Sequence, residues 1–301
     1  MSGNNGKDGL PEYRREETGR PPARLTWPAG ERIAMSIVVA FEAFNYASQL
    51  KLRPGPPKEP DPASLSFAEY GPKTGVWRVL DLLDREGLKA SFHTSGLAAE
   101  RWPLTLAEVH RRGHEIVGHG WTNDNLGESF SLEQERADVH NTIAAIEKAT
   151  GEKPVGWSSP GSKGSAEKLH VLVDESDIRW LGDDASDDVP FLRKVGNKTI
   201  VMMPRNNFPA NDLLLWTIPS NPPSVYWESF KDAFDCLYQE GVDGSPKWIE
   251  IVIHCHMGAR PGLNQSIRKV LSYAKGHSGV WHARRCDIAA HMLSTYASAL
   301  K

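Results

Sequence analysis

Side chains able to transfer protons or to bind a metal follow several apolar, strand-like runs of the chain. Glu42 follows IAMSIVVAF, His119 follows HEIVG, and His254 and His256 lie at the end of KWIEIVIHC. Histidine exchanges protons near neutral pH and is a common metal ligand, and a carboxylate can act as a base or a ligand. These residue types indicate acid–base or metal chemistry.

The segment GHGWTNDN, residues 118–125, places His119 four positions before Asn123. A second histidine at position 123 would complete half of a metal site, but a neutral amide oxygen is a poor zinc ligand. Asp124 is the nearest carboxylate that could replace it. The pattern therefore leaves open whether the site holds a metal.

These residues sit within a repeated alternation of strands and helices. Strands are predicted from Ile33 and then at LKASFHT, HEIVGH, PVGW, DIRWLG, KTIVMMP, KWIEIVIHC and GVWHA, with helices at TGVWRVLDLLDREG, after capping boxes at Thr105–Glu108 and Ser131–Gln134, and around 165–175, 226–240, 264–275 and 286–299. The alternation predicts an α/β fold whose parallel sheet is closed into a barrel or left open. No glycine-rich phosphate loop follows a strand, which weakens the open, nucleotide-binding alternative.

In a parallel barrel, reactive groups lie at the carboxyl ends of the strands. Period-two alternation puts Met35, Ile37, Val39 and Phe41 on one face of the first strand and Ala34, Ser36, Val38, Ala40 and Glu42 on the other. The second face carries small residues, as a crowded barrel interior requires. We therefore expect Glu42 to point into the barrel.

Composition limits the partners. The chain has 301 residues and a formal net charge of −3, with no Lys/Arg stripe and no apolar run long enough to span a membrane. We expect a cytoplasmic protein without nucleic-acid or membrane partners. Three cysteines without a CxxC pair indicate reduced thiols. Residues 1–30 are rich in Pro, Gly and charge and are predicted to form an arm, and residues 31–301 a single domain.

Several segments, in order, resemble the polysaccharide deacetylase superfamily (NodB-like, carbohydrate esterase family 4). They are RPPARLTWPAGERIAMSIVVAFEAF, HEIVGHGWTN, GEKPVGWSSPG, DDASDDVPF, IVIHCHMGARPG and VWHARRCDIAAHM. The likeness is greatest to the branch of allantoinases and cyclic imide hydrolases. It implies a deformed parallel (β/α) barrel of about seven strands that hydrolyses carbon–nitrogen bonds other than peptide bonds.

The resemblance assigns roles to particular residues. Glu42 takes the place of the first metal-binding aspartate, His119 and Asn123 that of the H-x3-H pair, and His254 is most like the late acid. Strand alternation does not decide whether His254 or His256 reaches the centre. In one alternative, no metal is held tightly: Glu42 and His119 activate water and His254 protonates the leaving nitrogen. In the other, Asp124 completes a zinc site with Glu42 and His119.

An eroded metal site favours a reactive substrate, so the expected function is the ring opening of a small cyclic amide or imide. The alternatives are a metal-dependent N-deacetylase acting on an acetylated sugar or acyl-amine, and an inactive barrel that binds a metabolite or partner. Six residues are candidates for substrate binding, and they are Trp121, Trp157, Pro160, Gly161, Asn206 and Arg260. The resemblance and the arm also make a homo-oligomer an expectation.

Overall fold

A computed structural model describes residues 25–46, 60, 62–124, 130–162, 165–217 and 220–297. Strands and helices alternate through this part of the chain. The strands are β1 (Ile33–Phe41), β2 (Ser91–Thr94), β3 (Glu115–Gly118), β4 (Gly156–Trp157), β5 (Trp180–Leu181), β6 (Phe191–Val195), β7 (Lys198–Met202), β8 (Lys247–His254) and β9 (Val280–His282). The helices are α1 (Pro62–Tyr70), α2 (Val76–Glu86), α3 (Gly96–Arg101), α4 (Pro103–Arg111), α5 (Leu132–Thr150), α6 (Ala166–Asp174), α7 (Ser224–Val242), α8 (Pro261–Lys275) and α9 (Arg285–Tyr296).

The strands form one curled sheet in the order β6-β7-β5-β4-β3-β2-β1-β8. Every pairing is parallel except the β6–β7 hairpin, which the sequence did not predict. The chain that follows β7 lies against the free edge of β8. There Asn206 donates its side-chain amide to the Trp248 carbonyl over 2.8 Å, and Asn211 pairs with Val252. The predicted deformed parallel barrel is confirmed.

Strand β9 shares an edge of β1 with β2. Strand β8 pairs with β1 along residues 33–40, so it fills one edge completely. On the other edge β9 pairs with residues 33–35 and β2 with residues 38–41. The chain that leaves β9 therefore reaches the barrel where these two partners of β1 meet.

The two faces of β1 differ as the alternation predicts. Ile33, Met35, Ile37, Val39 and Phe41 pack in the large apolar cluster beneath helices such as α2 and α8. On the inner face, Ser36 accepts a hydrogen bond from the buried Trp248 indole, whereas Val38, Ala40 and Glu42 line a cavity. The barrel is thus filled at its amino end and hollow at its carboxyl end.

Helix capping was predicted correctly at one of two places. Ser131 and Gln134 form the reciprocal capping box of α5. The box expected at Thr105 is wrong, because α4 already begins at Pro103 after Trp102. Proline suits the first turn of a helix, where its missing N–H is not needed. The helix therefore begins at Pro103, ahead of the predicted cap at Thr105.

Residues 25–30 are the part of the predicted arm within the described residues. Trp27 is buried beside Trp281, and its indole donates to the Lys247 carbonyl over 3.0 Å. Its neighbour Thr26 bonds with Tyr296 of α9. The domain boundaries and the homo-oligomer remain predictions. Within the described ranges, no helix is long and apolar enough to cross a membrane.

Candidate active site

The carboxyl ends of β1, β3 and β8 bring Glu42, His119 and His254 to one cavity of about 400 Å³. Glu42 continues the inner face of β1, His119 follows Gly118 at the end of β3, and His254 is the last residue of β8. All three side chains are nearly buried. The three residues proposed from sequence as catalytic therefore share one pocket.

Glu42 is a carboxylate in contact with one amide donor and close to two histidine rings. Asn123 donates its side-chain amide to Glu42 Oε1 over 2.6 Å, His119 Nε2 lies 3.4 Å from the same oxygen, and His256 Nδ1 lies 3.7 Å from Oε2. Burial raises the pKa of Glu42, but the surrounding histidines, His254 foremost, outweigh burial and lower that pKa to about 2. Glu42 is therefore ionised across the physiological range.

The ring of His119 has a defined orientation. Its Nδ1 contacts the main-chain carbonyl of Ser158, which can only accept a hydrogen bond, so Nδ1 carries a proton. In the neutral ring the lone pair then lies on Nε2, which faces Glu42. His119 thus presents an acceptor to the cavity beside the carboxylate.

Asp124 lies close in sequence but is directed away from this cluster. Its carboxylate accepts hydrogen bonds from the backbone N–H groups of Asn45 and Tyr46 and from the Thr122 hydroxyl. It fixes the chain after β1 instead of completing a ligand set. The prediction of Asp124 as a third metal ligand is not supported by this arrangement.

The residues at this position do not fit a tightly held zinc ion. Glu42 and His119 supply one carboxylate and one imidazole, and Asn123 adds a neutral amide whose Nδ2 is already directed at Glu42. Among the described residues, no group of three or more His, Cys, Asp or Glu side chains has metal-binding geometry. Catalytic zinc sites use three imidazole, thiolate or carboxylate ligands.

His254 is held by a buried carboxylate that the sequence did not indicate. Asp212 Oδ1 lies 2.5 Å from His254 Nδ1, and Asp212 Oδ2 accepts from the backbone N–H of His254 and Gly258. Burial lowers the pKa of His254, but Asp212 and Glu42 outweigh burial and raise that pKa to about 9. His254 is therefore a cation that lines the cavity at neutral pH.

His256 has a different environment from His254. It is 1% exposed and packs edge-on against Phe44 and Phe67 behind Glu42, and it does not line the cavity. Burial lowers its pKa to about 4, against the pull of Glu42. His254, not His256, has the position and charge of a proton donor.

Of the six predicted substrate-binding residues, Gly161 lines the cavity and five do not. Trp157 is fully buried and donates to Ser159, Pro160 packs over Gly120, and Trp121 packs over Gly96.

Asn206 and Arg260 have structural contacts instead of a place in the cavity. Asn206 follows β7 in the chain and donates its side-chain amide to the Trp248 carbonyl of β8. Arg260 stacks on the rings of Phe67 and Tyr70 at 4.0 and 4.1 Å and donates to the His256 carbonyl. The five side chains are engaged by packing and by backbone groups outside the cavity, and their role in substrate binding stays a prediction.

Sequence reasoning missed several residues that the barrel brings to the cavity. They are His93, Arg205 and Arg285, which line the cavity, and Asp212, which holds His254 there. His93 could have been predicted, because LKASFHT reads as a strand and His93 lies near its carboxyl end. Asp212 and Arg285 lie outside the strands, where no pattern reveals an inward side chain.

Comparison with known proteins agrees with the fold and the residue pattern. The family model for polysaccharide deacetylases matches residues 56–174. A provisionally named polysaccharide deacetylase of Schizosaccharomyces pombe is 27% identical over 90% of this chain and 93% of its own length. The peptidoglycan deacetylase of Helicobacter pylori is 23% identical over 74% of this chain and 85% of its own.

Solved structures of a polysaccharide deacetylase and of an allantoinase are also similar to this chain. The probable polysaccharide deacetylase of Pseudomonas aeruginosa PAO1 superposes with a TM-score of 0.84 at 26% identity, covering 94% of this chain and 99% of that one. The PuuE allantoinase superposes equally well, with a TM-score of 0.84 at 27% identity over 95% and 99%. The resemblance to the polysaccharide deacetylase superfamily and its allantoinase branch is confirmed, as is the predicted enzyme class, a hydrolase of non-peptide carbon–nitrogen bonds.

Proposed function

We propose that this protein hydrolyses a ring carbon–nitrogen bond of a small cyclic amide or imide. The observation that carries the proposal is the hydrogen bond from the Asn123 amide to Glu42 Oε1, 2.6 Å long. It leaves Glu42 and His119 as a pair of acceptors that face one cavity. Such a pair is suited to holding water instead of a metal.

In this mechanism a water molecule donates one hydrogen to His119 Nε2 and the other to Glu42, so its lone pairs face the substrate. The low pKa of Glu42, about 2, makes it a weak base. His119 Nε2 therefore takes the proton as the water oxygen bonds to the substrate carbonyl carbon. The carboxylate of Glu42 stabilises the imidazolium that forms.

His254 completes the reaction as the general acid. The Asp212 carboxylate holds its Nδ1–H, so Nε2 is left to donate its proton into the cavity. As the ring carbon–nitrogen bond breaks, the nitrogen takes this proton and leaves as an amine or amide. The carbonyl carbon retains the water oxygen as a carboxylate, whose remaining proton and the proton on His119 both pass to solvent. His254 regains one proton from solvent, so one proton is released per turnover.

The shape of the cavity supports a small substrate. Beneath the three proposed catalytic residues it continues into the barrel between Val38, His93 and Val252. A volume of about 400 Å³ inside a barrel suits a small ring, and a strained ring carbonyl needs less electrophilic help than an unactivated acetamide.

The test is a turnover panel with purified protein. Succinimide, glutarimide, hydantoin and allantoin are compared with N-acetylglucosamine and short acetylated glycans by NMR, before and after prolonged chelation. We expect ring opening that survives chelation and is at least about 100-fold slower in Glu42→Gln, His119→Gln and His254→Gln. Turnover of acetylated substrates alone, or full activity of the Glu42 or His119 variant, contradicts the proposal.

A metal-dependent N-deacetylase is the second candidate, favoured by the names of the relatives and by the family match. In that case purified protein contains about one divalent metal ion per chain, and chelation abolishes release of acetate. Metal analysis alongside the substrate panel separates the two functions.

A further inference from the structure

Two buried side chains deep in the cavity have polar atoms without partners. Arg285 is 1% exposed and His93 is 6% exposed, and both line the cavity. Arg285 Nη1 and His93 Nε2 form no hydrogen bond with any described residue. A buried polar atom that has lost its water partners and gained no protein partner is unfavourable. A bound group that pairs with these atoms would remove that cost.

The guanidinium of Arg285 is held rigidly. Its Nε donates to Glu250 Oε2 over 3.1 Å, its Nη2 contacts the same oxygen, and the group lies between the indoles of Trp180 and Trp248, at 5.1 and 5.3 Å. Its Nη1 lies at the end of β5, where a Cβ built on Gly182 would be 2.5 Å away. The unpaired Nη1 is therefore a fixed donor.

Arg285 and His93 form the deep end of the cavity, which we call the floor. The floor offers hydrogen bonds with little net charge. Glu250, which is fully buried, neutralises Arg285. Burial and the charge of Arg285 together hold the pKa of His93 well below its usual range, so that ring is neutral. A fixed donor without an excess charge fits an uncharged carbonyl oxygen better than a carboxylate, whose desolvation would remain uncompensated.

We propose that Arg285 and His93 form a subsite for the second carbonyl of a cyclic imide or ureide, the carbonyl that is not attacked. This inference rests on the proposed ring-opening function. The rings of His93 and His119 are neighbours on the cavity wall, with centroids 5.5 Å apart, so a small ring with one carbonyl beside His119 can place its other carbonyl beside His93. The subsite selects dicarbonyl rings over lactams.

The experiment compares glutarimide with 2-piperidinone, which lacks the second carbonyl. We use 2-piperidinone as a competitive inhibitor of glutarimide turnover. For wild type we expect the ratio of its Ki to the KM for glutarimide to be at least about 10, because 2-piperidinone leaves the polar atoms of Arg285 and His93 unpaired. In His93→Phe, which keeps the ring size, and Arg285→Lys, which keeps a cation beside Glu250, this ratio falls towards one. His93→Gln, which retains a donor and an acceptor, restores part of it.

Folded variants, judged by circular dichroism, that keep the wild-type ratio overturn the subsite while leaving ring opening intact. If wild type hydrolyses no ring, the proposed function fails, and calorimetric titration of glutarimide then tests the subsite alone. Binding weakened at least about 10-fold in His93→Phe supports the subsite, whereas equal binding or no binding by wild type overturns it.

Discussion

Asn123 donates its side-chain amide to Glu42 Oε1 over 2.6 Å, and His119 Nε2 faces the same oxygen at 3.4 Å. Position 123 is the one at which the family resemblance expects the second histidine of a metal-binding pair, and this chain has an amide there. A hydrogen-bond donor can orient Glu42 without the electrophilic power of a metal. The identity of residue 123 is therefore the feature on which the chemistry of this site depends.

Replacing Asn123 by histidine should convert the site into a metal site. With Glu42 and His119, Asn123→His would supply a third ligand of the kind that zinc prefers. We expect about one zinc ion per chain after dialysis against zinc, against little in wild type, and ring-opening kcat at least about 10-fold lower. Elemental analysis gives the metal content. Asn207→His, on another wall of the same cavity, serves as the control, and equal zinc content in both variants would contradict the assignment.

The Asp212 carboxylate should set the alkaline limit of activity. His254 must be protonated to act as an acid, and its pKa is about 9, so wild-type kcat should decline above about pH 9. In Asp212→Asn, burial lowers the His254 pKa and only Glu42 remains to oppose it. The alkaline midpoint should therefore fall by at least about one pH unit, and kcat at pH 7 by about 100-fold. pH–rate profiles measure both, and an unmoved midpoint would exclude His254 as the acid.

Gly156 should be essential for stability. A Cβ at this position would lie 2.0 Å from the Trp180 ring, which is fully buried and donates to Glu115 over 3.0 Å. Overpacking a core costs about 1–3 kcal/mol or more, so Gly156→Ala should lower the free energy of unfolding by about 3 kcal/mol. Gly276→Ala is the control, because its φ is −72° and its nearest contact would be 3.3 Å. Urea denaturation should separate the two variants clearly.

Arg260 should matter for stability and not for substrate binding. It stacks on Phe67 and Tyr70 and donates to two main-chain carbonyls, those of His256 and Phe67. Arg260→Met should lower the free energy of unfolding by about 1–3 kcal/mol, because carbonyls lose their donors. The KM for the ring substrate should change less than about threefold. A large rise in KM with unchanged stability would restore its earlier interpretation as a substrate-binding residue.

Sequence periodicity predicted the parallel strand–helix alternation and the inward direction of Glu42, because both are local properties. The deformed barrel was implied by the family resemblance. It did not predict Asp212, whose partner His254 lies 42 residues away in the chain. The packing of Trp157 and Arg260 outside the cavity was not predicted either, for a related reason. A tryptophan or arginine near a strand end suits a pocket wall or a packing contact equally well, and only tertiary packing decides between them.

The division of one edge of β1 between β2 and β9 has a consequence for the order of assembly. Arg285 enters the barrel beside this junction, and the backbone N–H groups of Arg285 and Cys286 bond to Ser91 and Glu115. Arg285 therefore follows all nine described strands in the chain. A sheet whose strands have already paired would still lack the proposed subsite until α9 docks.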